Sequence, residues 1–125
     1  MLADHPVYTT LPVSDMERAT AFYRDKLGLT AKEDRPDGSK YYVGNNTGFL
    51  LFPSPFAGTS QATAAGFETP NVRAEVEELQ SRGVEFMTFE MEGVTWDGVI
   101  ASMAGIEGAW FKDSEGNIIA VANPG

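Results

Sequence analysis

Side chains able to do chemistry are few in this sequence, and the missing ones narrow the choice. There are no cysteines, so disulfides, thiolate metal sites and thiol nucleophiles are excluded. The single histidine, His5, falls at the frayed end of the first strand. One imidazole without partners makes neither a metal site nor a Ser-His-Asp type of triad, and a surface histidine is the plainer reading. Asp97 and Glu107 are carboxylates of the kind that pair for acid–base work, although carboxylates near turns are far more often just solvated. The aromatic residues offer more. Trp96 lies between Gly93 and Gly98 in what reads as a loop, and Trp110 sits on a late strand. With Tyr8, Phe49 and Phe52 they can line an apolar cleft that holds a small ligand by burial and a few polar contacts. Phe49 and Trp110 fit a plain core equally well. Trp96 has less shelter in a loop, which suits a cleft mouth or a subunit interface.

Eighteen acidic residues against nine basic ones give a formal net charge of −9. Binding a nucleic acid requires cationic groups that displace phosphate counterions, so no nucleic-acid partner is expected. Solubility explains most of this acidity. A sharper reading is that some carboxylates attract a cationic ligand. No apolar run approaches the roughly 20 residues that cross a bilayer, so no membrane partner is expected. Met1 to Pro6 lacks a basic segment followed by an apolar one, so no signal peptide is expected and the cytoplasm is the default location.

The elements that must position these residues follow from pattern. A chain of 125 residues suits one domain and needs no disulfide or metal to fold. Val7 to Val13 reads as a strand; Ser14 with Glu17 has capping-box spacing, and a helix should begin there. Met16, Ala19, Phe22, Tyr23 and Leu27 form its buried stripe, and Gly28 ends it. Strands follow at Leu29 to Glu33, Lys40 to Val43 and Phe49 to Phe52, separated by turns rich in Asp, Asn and Gly. Residues 54–63 read as a linker.

After the linker the pattern restarts. Ala64 to Thr69 is a strand, Asn71 caps a helix from Val72 to Arg82, and Gly83 ends it. Val84 to Phe89 is extended, Glu90 to Gly98 reads as a loop, and strands follow near Ile100 to Met103, Ala109 to Lys112 and Ile118 to Ala122. The two parts overlay: Asp15 on Asn71, Leu27-Gly28-Leu29 on Arg82-Gly83-Val84, and Phe49 to Phe52 on Ile118 to Val121. This is an internal duplication of a β-α-β-β-β unit.

These segments resemble the vicinal oxygen chelate superfamily, which includes glyoxalase I, extradiol dioxygenases and bleomycin-resistance proteins. The resemblance rests on Leu11-Pro12-Val13-Ser14-Asp15, on Phe22-Tyr23-Arg24-Asp25-Lys26-Leu27-Gly28-Leu29, on Glu77 to Val84, and on Asp113-Ser114-Glu115-Gly116-Asn117. It implies an α+β fold in which paired β-α-β-β-β modules form a curved mixed sheet around a cleft. Module one would cover about 5–53 and module two about 64–123 of a single domain spanning 1–125. The family's usual metal is held by a His on the first strand of each module and a carboxylate on a late strand. Carried onto this chain by the family's spacing, those positions are Tyr8 and Ala64, then Ala120 and its first-module counterpart at about Leu51. Alanine and leucine cannot bind a metal, and neutral tyrosine is a poor ligand for most divalent ions.

The expectation is therefore a metal-independent small-molecule binder of the bleomycin-resistance kind, without a cofactor and with an unidentified ligand, for which the acidic balance suits a cation. The ligand face would comprise Tyr8, Phe49, Leu51, Ala64, Trp96, Trp110 and Ala120; no catalytic residue is assigned. The rival is a glyoxalase-like lyase or isomerase with a displaced or absent metal site. A third reading is an interaction module whose cleft is filled by its own side chains. A homodimer is expected, as is common in the family.

Overall fold

The computed structural model describes residues 1–124. The first module runs β1 (Thr9–Val13), α1 (Met16–Asp25), β2 (Glu33–Arg35), β3 (Gly38–Val43) and β4 (Thr47–Pro53). Its four strands form a sheet in the order β1-β4-β3-β2, with β1 and β4 parallel and the other pairs antiparallel. The second module runs β5 (Thr63–Glu68), α2 (Val72–Ser81), β6 (Phe86–Met87), β7 (Thr95–Asp97), β8 (Ile100–Met103), β9 (Ile106–Lys112) and β10 (Ile118–Ala122). Its sheet has the order β5-β10-β9-β8-β7, and β6 pairs with β9. The β5-β10-β9-β8 part repeats the topology of the first sheet; β6 and β7 are additions. This is an α+β fold of paired modules.

Helix α1 begins at Asp15, whose carboxylate accepts from the Arg18 amide at 3.1 Å. Ser14, the residue that capping-box spacing picks out, donates its hydroxyl to Glu115 at 3.1 Å instead. In the second module Asn71 accepts from the Ala74 amide at 3.0 Å. Each cap satisfies an amide that has no partner within the helix. Ala19 and Tyr23 are the buried residues of α1, with Met16, Phe22 and Leu27 packed around them.

Alternation along the strands decides which residues meet the helices. Leu11, Val13, Tyr41, Phe49 and Leu51 from the first sheet join Phe111, Ile119 and Val121 from the second in one core cluster, with Tyr23 of α1 at its centre. The Tyr23 ring lies 5.8 Å from Tyr41 and 5.4 Å from Phe49. Val72 and Val76 of α2 pack with Ile100 and Ala109 in a second cluster.

The modules are clamped by the turn between β9 and β10. Asp113 accepts from the Tyr23 hydroxyl at 2.7 Å, and the Asn117 amide group donates to the Pro12 carbonyl at 2.9 Å. The Glu115 carboxylate accepts from the Ser14 and Asp15 amides, both at 2.9 Å, and from the Arg18 Nε at 2.8 Å. The Asp-x-x-Gly-Asn segment is thus both a tight turn and the fastening between modules.

Candidate ligand-binding face

Each sheet turns one face to its helix and leaves the opposite face for a ligand. Strand register fixes which residues belong to it. Thr9 lies opposite Phe49 in the first sheet, and Ala65 lies opposite Ile119 in the second. With Asp15 and Asn71 both capping their helices, Thr9 corresponds to Ala65. Phe49 therefore corresponds to Ile119, and Leu50 to Ala120. The overlay read from sequence is displaced by one residue.

A one-residue slip in a strand moves a side chain to the other face. Leu51 is fully buried on the helix side, and Phe49 stacks on Tyr41 at 4.7 Å in the same core. Neither lines the face opposite the helix. Leu50 does: it is buried but belongs to neither core cluster.

On the second sheet the aromatic residues do come together. Trp96 is not in a loop. It sits on β7 opposite Ala101, because the chain turns at Gly98 and Val99 and pairs β7 with β8 as a hairpin. Trp110 pairs with Ala120 across β9 and β10 and with Met87 of β6. Phe89 joins them, its ring 5.5 Å from Trp96 and 5.0 Å from Trp110, both edge to face; the two tryptophan rings are 6.2 Å apart. Such geometries add roughly 0.5–1.5 kcal/mol per pair beyond burial. Phe89 escaped the sequence reading, because nothing local distinguishes it from the other apolar residues of Val84 to Phe89.

Two open cavities meet at Phe89. One of about 760 Å³ is bounded by Thr88, Glu90, Met91, Glu92 and Trp96. The other, of about 570 Å³, runs along Gly58 to Gln61, Thr63, Trp110 and Lys112 beneath the linker. Ala64 is exposed on the edge strand β5, and half-buried Ala120 lies beside Trp110.

Tyr8 stands apart from this cluster, over the first sheet. Its ring centroid is 3.3 Å from the Lys40 ammonium, and the Tyr42 ring is 5.5 Å from it. The Tyr42 hydroxyl donates to Glu33 at 3.1 Å. Phe52 is half-buried on the same side as Leu50.

The remaining candidates are not brought together. Asp97 is paired with Arg73 at 2.6 Å, whereas Glu107 lies opposite Ser102, so the two carboxylates form no acid–base pair. His5 follows a short 3-10 turn and is exposed. The residues at the family's metal positions do not fit a divalent ion. Ala64 and Ala120 offer no donor, Leu51 faces the core, and the one oxygen, on Tyr8, belongs to a ring that covers an ammonium. Among the described residues no group of three or more His, Cys, Asp or Glu side chains is placed to hold a metal.

Paired β-α-β-β-β modules with one sheet face left to rings and small residues define the build, and relatives share it. The Glyoxalase/Bleomycin resistance protein/Dioxygenase superfamily model matches residues 5–121, and the chain belongs to that superfamily. Among solved structures, a bleomycin-binding protein complexed with bleomycin superposes with a TM-score of 0.72 at 14% identity, covering 97% of this chain and 99% of that one. TnmS3, an antibiotic binding protein from Streptomyces sp. CB03234, gives 0.66 at 27% identity, covering 97% and 96%. A lactoylglutathione lyase from Agrobacterium tumefaciens gives 0.63 at 22%, covering 96% and 93%. No curated protein matches the chain.

Proposed function

We propose that this protein binds a small aromatic molecule, without a metal, on the ring cluster of the second sheet. The observation that carries the reading is the Phe89–Trp96–Trp110 cluster between two open cavities. Offset and edge-to-face rings leave faces free to stack on a planar ligand, and Ala120 beside Trp110 leaves room for it. Likeness to an antibiotic-binding protein at 27% identity supports the same reading. The lyase or isomerase reading lacks an equivalent support, because the positions that would hold its metal carry no donor set and the carboxylates are apart. The family resemblance also favours a homodimer, which would cover exposed apolar residues such as Val7, Met103 and Ile106.

Tryptophan fluorescence titrated with a panel of planar aromatic compounds tests the binding reading. Quenching that saturates in the wild type and weakens at least about tenfold in Trp110→Ala is expected. A panel that quenches neither protein counts against it. Elemental analysis after dialysis addresses the metal: one retained equivalent of zinc, iron, nickel or manganese per chain would overturn metal independence.

A further inference from the structure

The first sheet carries a largely buried lysine whose ammonium enters no ion pair among the described residues. All five arginines are ion-paired: Arg18 with Glu115, Arg24 with Asp25, Arg35 with Asp37, Arg73 with Asp97, and Arg82 with Glu78. Lys40 is different. It is only 5% exposed, yet among the described residues no carboxylate oxygen lies within 4.0 Å of its ammonium. Glu33 lies opposite Lys40 across β2 and β3, yet its carboxylate accepts from the Tyr42 hydroxyl at 3.1 Å and comes no closer than 4.0 Å to the ammonium.

What the ammonium has instead is the face of Tyr8 at 3.3 Å and, farther off, Tyr42 at 5.5 Å. A ring face attracts a cation only modestly where water still reaches it, whereas a carboxylate makes a charge-assisted hydrogen bond about twice as strong as a neutral one. Tyr8 precedes β1, so the hydrogen bonds of the sheet do not hold it, and Val7 before it is 93% exposed. The ring can therefore yield its place. Arg35, ion-paired with Asp37, also lies beside Tyr8, whose hydroxyl contributes, after Asp37, to holding the guanidinium pKa above its usual value.

Register gives this lysine a further meaning. Lys40 lies opposite Leu50 as Trp110 lies opposite Ala120, so the cation occupies in the first sheet the place that Trp110 holds in the second. One module offers rings at this position and the other an ammonium.

We propose that Lys40 is an anion-recognition residue, and that the ligand of this protein carries a carboxylate which replaces the Tyr8 ring as the partner of the ammonium. This rests on the reading of the face as a small-molecule site and adds the ligand's charge. It reverses the cationic preference that the net charge suggests.

The test compares three probes of one shape, naphthoate, naphthamide and naphthylmethylammonium, by calorimetric titration. The wild type should bind naphthoate about tenfold more tightly than naphthamide, with the ammonium probe weakest. Lys40→Met should level naphthoate with naphthamide, and Lys40→Arg should keep the preference. Equal affinities in the wild type, a preference for the cationic probe, or a carboxylate preference that survives Lys40→Met would each overturn the proposal. Should Lys40→Met fail to fold, the wild-type ranking and Lys40→Arg decide alone. Trp110→Ala separates the two readings: it should weaken all three probes yet leave their ranking. If it changes nothing while Lys40→Met still removes the preference, the ring cluster is wrong and the anion site stands. If no probe binds the wild type, both fall.

Discussion

Glu115 has a side chain with no solvent exposure and takes hydrogen bonds from Ser14, Asp15, Arg18 and Ser114. The bidentate Arg18 guanidinium is the largest influence on it, and together these donors overcome burial and hold its pKa down to about 2. A carboxyl group depressed in the folded state contributes stability above its unfolded pKa and loses it as pH falls through the folded value. From an unfolded value near 4.3, the contribution is on the order of 2–3 kcal/mol at neutral pH, fading between about pH 5 and pH 2. Denaturant unfolding of wild type and Glu115→Gln across that window checks it: the wild type should be the more stable at pH 7, with the gap shrinking toward pH 2. A gap independent of pH would refute the assignment. Ala64 makes a contrasting case at the same scale. Because it is exposed, Ala64→Phe should change stability by no more than about 0.5 kcal/mol in urea unfolding, since there is no core there to overpack.

At the scale of elements, β3 and β4 approach so closely that neither Gly38 nor Gly48 leaves room for a side chain. A Cβ at Gly48 would collide with the Tyr41 carbonyl oxygen across the pair. The strand cannot retreat, because Tyr41 and Phe49 stack next to that point under α1. Gly48→Ala should therefore cost at least about 2 kcal/mol, seen as a lower urea midpoint with an unchanged slope. A midpoint within experimental error of the wild type would mean that the pair spreads more easily than its packing implies. The helices show the complementary logic. Gly28 and Gly83, with φ of +71° and +87°, turn the chain out of each helix in the left-handed region that glycine enters without strain.

For the molecule as a whole, the question is whether the modules can come apart. Burial, and after it the Asp113 carboxylate of the second module, drives the Tyr23 hydroxyl pKa upward, and one core cluster draws on both sheets. Separating the modules would expose that cluster, take the Tyr23 hydroxyl from Asp113, and take from Glu115 the donors of Ser14, Asp15 and Arg18. Unfolding is expected as a single cooperative transition, with tryptophan fluorescence reporting the second sheet and far-UV circular dichroism reporting both. Two transitions at fixed concentration and constant oligomeric state would show separable modules.

Local pattern carried both helices and the strand–helix order of each module apart from β7, because these depend on interactions within a few residues: Asn71 capping Ala74, the Met16 to Leu27 stripe, glycines past each helix. It could not carry the face assignment. Phe49-Leu50-Leu51-Phe52 is apolar throughout, so its sequence has no alternation, and only pairing with β1 and β3 shows that Leu50, not Leu51, matches Ala120. Trp96 looked like a loop residue because β7 is three residues long and exists only by pairing with β8. Phe89 reached Trp110, and Lys40 reached Tyr8, across gaps that local pattern does not span. The metal positions are a mixed case. Ala64 and Ala120 were legible as donor-free from their identity, which no folding can change. Which side of the sheet a residue faces, and whether a buried lysine finds a counter-ion, are settled by contacts between distant parts of the chain, and so by tertiary structure alone.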